Sequence, residues 1–186
     1  MQAIFVRSRE ALVKECHRII DDGGVALCEL HIAAGACTCC TFAQGNWIGV
    51  VPGEWAFLDK ENTEGWTEYK EGFQCHRDPT ECSTKPLDCK LYPFFPYEVA
   101  DEGHHYRVYV GAGDEKCAAK NLLISALKKQ VIAKGSARPF GRHLYLVGRI
   151  GAILYEAGLS AWMKKTYEGY VGYSRGYVVV VNKEDV

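Results

Sequence analysis

Apolar residues recur at helical spacing from Ser8 to about Asp22, where Leu12, Cys16, Ile19 and Ile20 share one face; Ser8 is placed to cap the helix and Gly23-Gly24 to stop it. Val25 to Leu30 reads as a short extended segment, Trp47 to Val51 as a strand, and Pro52 to Lys60 as a short helix opened by proline. Tyr97 to Ala100 and Tyr106 to Val110 predict a hairpin around Asp101-Glu102-Gly103. A helix from Asp114 through Lys134 would turn Leu122, Leu123, Ala126, Leu127 and Val131 inward and end at Gly135. Between Pro139 and Lys165 the pattern fits two readings: Leu144, Val147, Ile150 and Leu154 suit a helix, whereas Gly141, Gly148, Gly151 and Gly158 weaken it and leave a strand at Leu144 to Val147 open. Tyr167 to Asn182 reads as extended, with Tyr177 to Val181 a buried strand. Glu61 to Pro96 follows neither period. The sum is an α+β protein in which helices and a small antiparallel sheet flank long irregular loops.

Composition narrows this. At 186 residues and 48% hydrophobic content the chain can bury one good core, so residues 1–186 are expected to form a single domain. A formal charge of -1 from interspersed acids and bases gives no broad electrostatic reason to expect nucleic acid or an anionic membrane surface. Met1 to Arg9 lacks the features of an export signal, and no apolar run approaches the roughly 20 residues a membrane-spanning helix needs. A cytoplasmic location is expected, in which the nine cysteines remain thiols or bind metal. Nucleophile elbows, Walker loops, dinucleotide fingerprints and H-E-x-x-H are missing from the chain, which argues against an ordinary hydrolase or a nucleotide-dependent enzyme.

The cysteines carry the chemistry. Cys37-Thr38-Cys39-Cys40 is followed by Cys75, Cys82 and Cys89 with six residues between each. Adjacent thiols make poor disulfides and good ligands, so two loops brought together around a soft metal are expected. Cys117, in the first turn of a helix capped by Asp114, is favoured there as a thiolate, and it is either a ligand from a third element or a small residue packing the helix end. Cys16 falls on the apolar stripe and reads as core. Cys28, among apolar neighbours, reads as packing or an eighth ligand.

The pair Cys39-Cys40, the single Cys75 and Cys82, and the stretch Lys85-Pro86-Leu87-Asp88-Cys89-Lys90-Leu91-Tyr92-Pro93 together resemble the YkgJ-like cysteine-cluster family, a zinc- or iron-chelating domain. Cys117 is similar to that family's later cysteine, and the cysteine-cluster core would run from about residue 28 to 117. The upstream group departs from the family's C-x-x-C-x-x-C-C: Ala33 and Ala36 are alanines and Cys37 is one residue out of register. Loop spacing and the resemblance together imply metal ligation by Cys40, Cys75, Cys82 and Cys89; Cys37 and Cys39 compete for the remaining positions, and Cys117 joins if its helix N-terminus faces the centre. A similar cluster in flagellin lysine methyltransferases holds a [4Fe-4S] centre.

Zinc prefers four ligands in closely spaced pairs, whereas an iron-sulfur cluster accepts cysteines from scattered loops. The wide spacing therefore favours an iron-sulfur protein in redox or cluster-assisted chemistry, with zinc as the alternative metal. A zinc-stabilised binding module and a metal carrier with labile surplus thiols are the alternative functions. In each case the partner is a protein or a small molecule. His76, beside Cys75, and His104-His105 read as exposed loop histidines or as metal or proton sites. Arg138, Arg142, His143 and Arg149 read as a solvated basic face or an anion-binding one. Trp47, Trp55, Trp66, Tyr69, Phe73 and Tyr92 to Tyr97 bracket the cysteines as an aromatic shield. With few apolar anchors in these loops, removal of metal is expected to raise hydrogen exchange mainly over residues 61–96, and unchanged protection there would count against a metal centre.

Overall fold

The structure is a computed structural model that describes residues 8–24, 48–56, 58, 66–69, 72–75, 85–92, 94–112, 131–132, 139–169 and 174–186. The fold is α+β. In chain order its elements are α1 (Arg9–Gly23), a 3-10 turn (Glu54–Ala56), β1 (Trp66–Tyr69), β2 (Gly72–Cys75), α2 (Leu87–Leu91), β3 (Phe94–Asp101), β4 (His105–Ala112), β5 (Val131–Ile132), α3 (Pro139–Glu156), α4 (Ser160–Gly169), β6 (Ser174–Asn182) and a closing 3-10 turn (Lys183–Asp185).

Helix α1 forms where the 3.6 period placed it. Ser8 Oγ accepts from Ala11 N at 3.2 Å, and Val13, Cys16, His17, Ile19 and Ile20 are buried. Strands β3, β4 and β6 form an antiparallel sheet in the order β3-β4-β6, and the short β5 adds to β6 in parallel. The hairpin is longer at both ends than its apolar core suggests. Its turn is closed by Asp101 Oδ1, which accepts from Gly103 N at 2.9 Å, with Gly103 at φ +84°. Val108 faces Val99 on one side and Val179 on the other. Since β6 is paired on both edges, the Tyr177 to Val181 stretch is an interior strand, with Tyr177, Val179 and Val181 turned to the core.

The glycines that weakened the helical reading of 139–156 are what let that helix form here. Gly148 and Gly151 lie on the face of α3 that crosses the sheet. A Cβ at Gly148 would sit 2.4 Å from Val179 Cγ1, and one at Gly151 would sit 2.8 Å from Val108 Cγ1 and 2.7 Å from Pro96 Cβ. Close approach of helix and sheet offsets the lost helix propensity. Gly158, at φ +73°, ends α3: Gly158 N donates to Tyr155 O and Leu159 N to Leu154 O, both at 2.9 Å, while Leu154 and Leu159 bury together. Helix α4 follows and lays Tyr167 on Tyr97, rings stacked at 4.3 Å.

One apolar core joins α1, Val51, α2, β3, β4, α3, α4 and β6. Several local readings are corrected by it. Residues 49–51 are irregular rather than a strand, and Pro52-Gly53 is a turn leading into a single 3-10 turn. The aperiodic stretch 61–96 holds the antiparallel pair β1 and β2, the helix α2 and the start of β3. Val131 and Ile132 are strand, so a helix begun at Asp114 does not run through them to Lys134; tertiary pairing with β6 overrides the apolar period there. Tyr167 to Gly169 are helical, not extended. Val25 to Leu30 and residues 113–130 lie outside the described residues.

Because α3 touches β6 through a bare Cα, Gly148→Ala should destabilise the protein by about 1–3 kcal/mol of overpacking, exceeding the ~1 kcal/mol that alanine gains in helix propensity. Urea unfolding checks this: the midpoint should fall, and a midpoint unchanged or raised would mean that helix and sheet can separate freely.

Candidate metal centre

Of the cysteines with ligand spacing, Cys89 is the one whose side chain the structure describes. It lies in the middle of α2, half-buried and in no disulfide. Five residues cannot sustain a helix alone, and Pro86 at its N-cap makes no side-chain capping bond. Leu87 and Leu91, four apart, drive one face into the core, leaving Cys89 between them at the side.

The rest of the anchoring is polar. Glu54, wholly buried, accepts from Leu87 N at 2.6 Å and from His17 Nε2 at 2.7 Å through Oε1, and from Val51 N at 2.9 Å through Oε2. The trans carboxylate thereby supplies the cap that Pro86 cannot. In return Asp88 Oδ2, on α2, accepts from Gly49 N at 2.7 Å. At the outer edge Lys90 Nζ meets Asp21 Oδ2 at 2.7 Å. Burying a carboxylate is costly unless it is well hydrogen-bonded, and Glu54 takes three N–H donors, with both oxygens engaged. Segment 48–56, helix α1 and helix α2 are thus joined at one buried acid.

Burial separates the two described thiols. Cys16 is fully buried in α1, and its thiol is pushed up, first by that burial and then by the nearby Glu15 and Glu54 carboxylates, so it stays protonated as a core residue. Cys75 closes β2, where its backbone pairs with Trp66. Cys28, Cys37, Cys39, Cys40, Cys82 and Cys117 lie outside the described residues, as does His76. Among the described residues, no group of three or more His, Cys, Asp or Glu side chains is gathered to hold a metal. His104 is exposed and His105 is paired with Glu102 at 2.7 Å.

The basic segment on α3 divides. Arg142 is exposed and Arg149 hydrogen-bonds to Asp185 O, but His143 turns inward and is fully buried, 6.1 Å from the Phe94 ring. The aromatic stretch after Cys89 also differs from a cover: Phe94, Phe95 and Tyr97 are core residues of β3, packed on His143, Trp162 and Tyr167. Residues 85–92 and 94–96 therefore have apolar anchors of their own, Leu87, Leu91, Phe94 and Phe95.

Sequence reasoning missed His17, Glu54 and Asp88. The available signals were an ionisable residue on an otherwise apolar helix face beside Cys16, and a lone acid just after Pro52-Gly53 in an apolar stretch. No protein-family model, curated protein or solved structure matches the chain. No helix among the described residues is long and apolar enough to cross a membrane.

Burial lowers the His143 pKa from 6.5 to about 4, opposed by a hydrogen bond with the Leu91 main chain. Between those values the unfolded chain holds more protons than the folded one, so stability rises with pH there. The contribution is complete above pH 6.5 and is lost as pH falls toward 4, by about 3 kcal/mol at most. Urea titrations at stepped pH should show this slope, and His143→Phe should flatten it; an unaltered slope would place the protonation elsewhere.

Proposed function

We propose that the protein is a cysteine-ligated iron-sulfur protein of the YkgJ-like kind, holding a [4Fe-4S] centre in a redox or cluster-assisted role. The observation that carries this reading is the contrast between Cys89 and Cys16. The cysteine of the most specific motif presents a half-buried thiol, outside any disulfide, on a helix fixed from three sides. The cysteine read as core is sealed and held protonated. A soft metal needs the former and rejects the latter.

The ligands are drawn from Cys37, Cys39, Cys40, Cys75, Cys82, Cys89 and Cys117. These seven thiols exceed the four a single cluster requires, so some are spare or exchange during function. When bound, a cluster supplies one-electron transfer or, with an open iron, a Lewis acid for a small molecule. The chain's own part is to hold Cys89 at a set depth on α2, whose buried Leu87 and Leu91 anchor the helix to the core and limit water on that side. The cytoplasm, where thiols stay reduced, is the fitting compartment. The partner is a protein or a small molecule, since balanced charge offers nothing for nucleic acid or membrane.

Protein purified without oxygen should be brown, absorb broadly in the visible, and contain iron and acid-labile sulfide; zinc without sulfide would turn the assignment to the binding module, and rapid metal loss to an acceptor with the fold intact would turn it to the carrier. Across single serine substitutions of all nine cysteines, Cys89→Ser should abolish metal binding, while Cys16→Ser keeps full occupancy at a modest packing cost. Full occupancy in the Cys89 variant together with loss in the Cys16 variant would overturn the proposal.

A further inference from the structure

We infer that Glu54 and Asp88 are positioning residues that hold Cys89 in its ligating place before metal arrives, an inference that rests on the cysteine-ligated reading above. The two carboxylates run in opposite directions between the same two segments: Glu54 of segment 48–56 takes Leu87 N of α2, and Asp88 of α2 takes Gly49 N of that segment. A reciprocal pair of this kind fixes both separation and rotation, where a single bond would leave a hinge. One bond lands on the backbone two residues before Cys89, at Leu87 N, and the other leaves from the side chain of its neighbour Asp88 to Gly49 N, so together they set where α2 carries the thiol. Both acids are themselves buried, which keeps water from competing for the bonds. Glu54 also reaches His17 on α1, so the clasp is fastened to the core.

The position of the clasp along the chain adds a second reason. His17 and Glu54 are 37 residues apart, and the loop they close contains Cys28, Cys37, Cys39 and Cys40. Glu54 and Leu87 are 33 apart, and that loop contains Cys75 and Cys82. One buried acid therefore ties off both cysteine-bearing loops beside Cys89, using no thiol. Bonds of this kind need no metal to form, so on this inference metal would be spared that part of the ordering entropy.

The test compares wild type, Glu54→Gln, Asp88→Ala and Asp88→Asn, each reconstituted anaerobically with ferrous iron and sulfide. Val179→Ala serves as a control that lowers stability far from the clasp. Two readouts are needed: amide exchange of the α2 and Gly49 amides in metal-free protein, and the rate at which loaded protein yields iron to a ferrous chelator. In metal-free wild type the Lys90 and Gly49 amides should be protected. Glu54→Gln and Asp88→Ala should lose that protection and release iron at least about tenfold faster, the range seen when outer-shell partners of metal ligands are removed. Asp88→Asn, which keeps an acceptor oxygen for Gly49 N, should retain Gly49 protection and release iron more slowly than Asp88→Ala, and Val179→Ala should lower the melting temperature without changing the release rate. Wild type that takes up no metal sinks the proposed function and this inference with it. Normal loading with unchanged release from both clasp variants, or unprotected α2 amides in metal-free wild type, sinks the inference alone. If Glu54→Gln does not fold, the Asp88→Ala and Asp88→Asn pair decides.

Discussion

A single buried carboxylate carries a disproportionate share of this architecture. Glu54 is fully enclosed, and three N–H groups from three parts of the chain converge on it: His17 of α1, Val51 of its own loop and Leu87 of α2. None of these parts would hold alone. The loop is irregular, and α2 is five residues long with a proline at its cap. Apolar burial of Val51, Leu87 and Leu91 brings the segments together, but hydrophobic contact is non-directional and leaves their rotation free. The acid supplies the direction. The same low-dielectric setting that strengthens its bonds makes the loss of any donor expensive, so the arrangement favours being wholly formed or wholly absent.

Behind that acid, the core is built to keep α1 and α2 in place. Sheet and α3 approach through glycine, α4 stacks a tyrosine on β3, and the end of the chain is fixed to α3 by Tyr145 Oη donating to Asp185 Oδ2 at 2.9 Å. At the far end of the hairpin, Lys183 meets Asp101 at 2.7 Å and lies 5.0 Å above the Tyr106 ring. This outer ion pair is largely solvent-screened and contributes little by itself. Its value lies in holding the β3-β4 turn to the closing 3-10 turn that follows β6.

Legibility in the sequence followed the range of the interactions. Helix α1, the hairpin and the final strand were readable because cap, turn and period are local signals. The α3 glycines pointed the wrong way, since the reason for a glycine at 148 or 151 is a side chain on another element, Val179 or Val108 and Pro96. Val131 and Ile132 were drawn into a strand by β6, some 47 positions further on. The reading of Cys16 as a core residue is matched by its full burial, because its place on the apolar stripe is a local signal, and the structure adds that Cys89 is half-buried. The acids at 54 and 88 had no spacing to betray them. A buried carboxylate is defined by which backbone N–H groups surround it, and those come from 33 and 39 residues away.

The loop topology around Glu54 has a consequence in terms of local concentration. Two stretches of chain leave the same knot and return to it, one carrying four cysteines and the other two. On the proposed cysteine-ligated reading, closing both stretches at one point would limit the range of their thiols to the loop contour, an effective concentration on the order of millimolar. Thiols so confined meet one another as readily as they meet a metal ion. On the same reading, the closure that would favour ligation would equally favour disulfide formation in air, so loading such a site calls for reducing conditions.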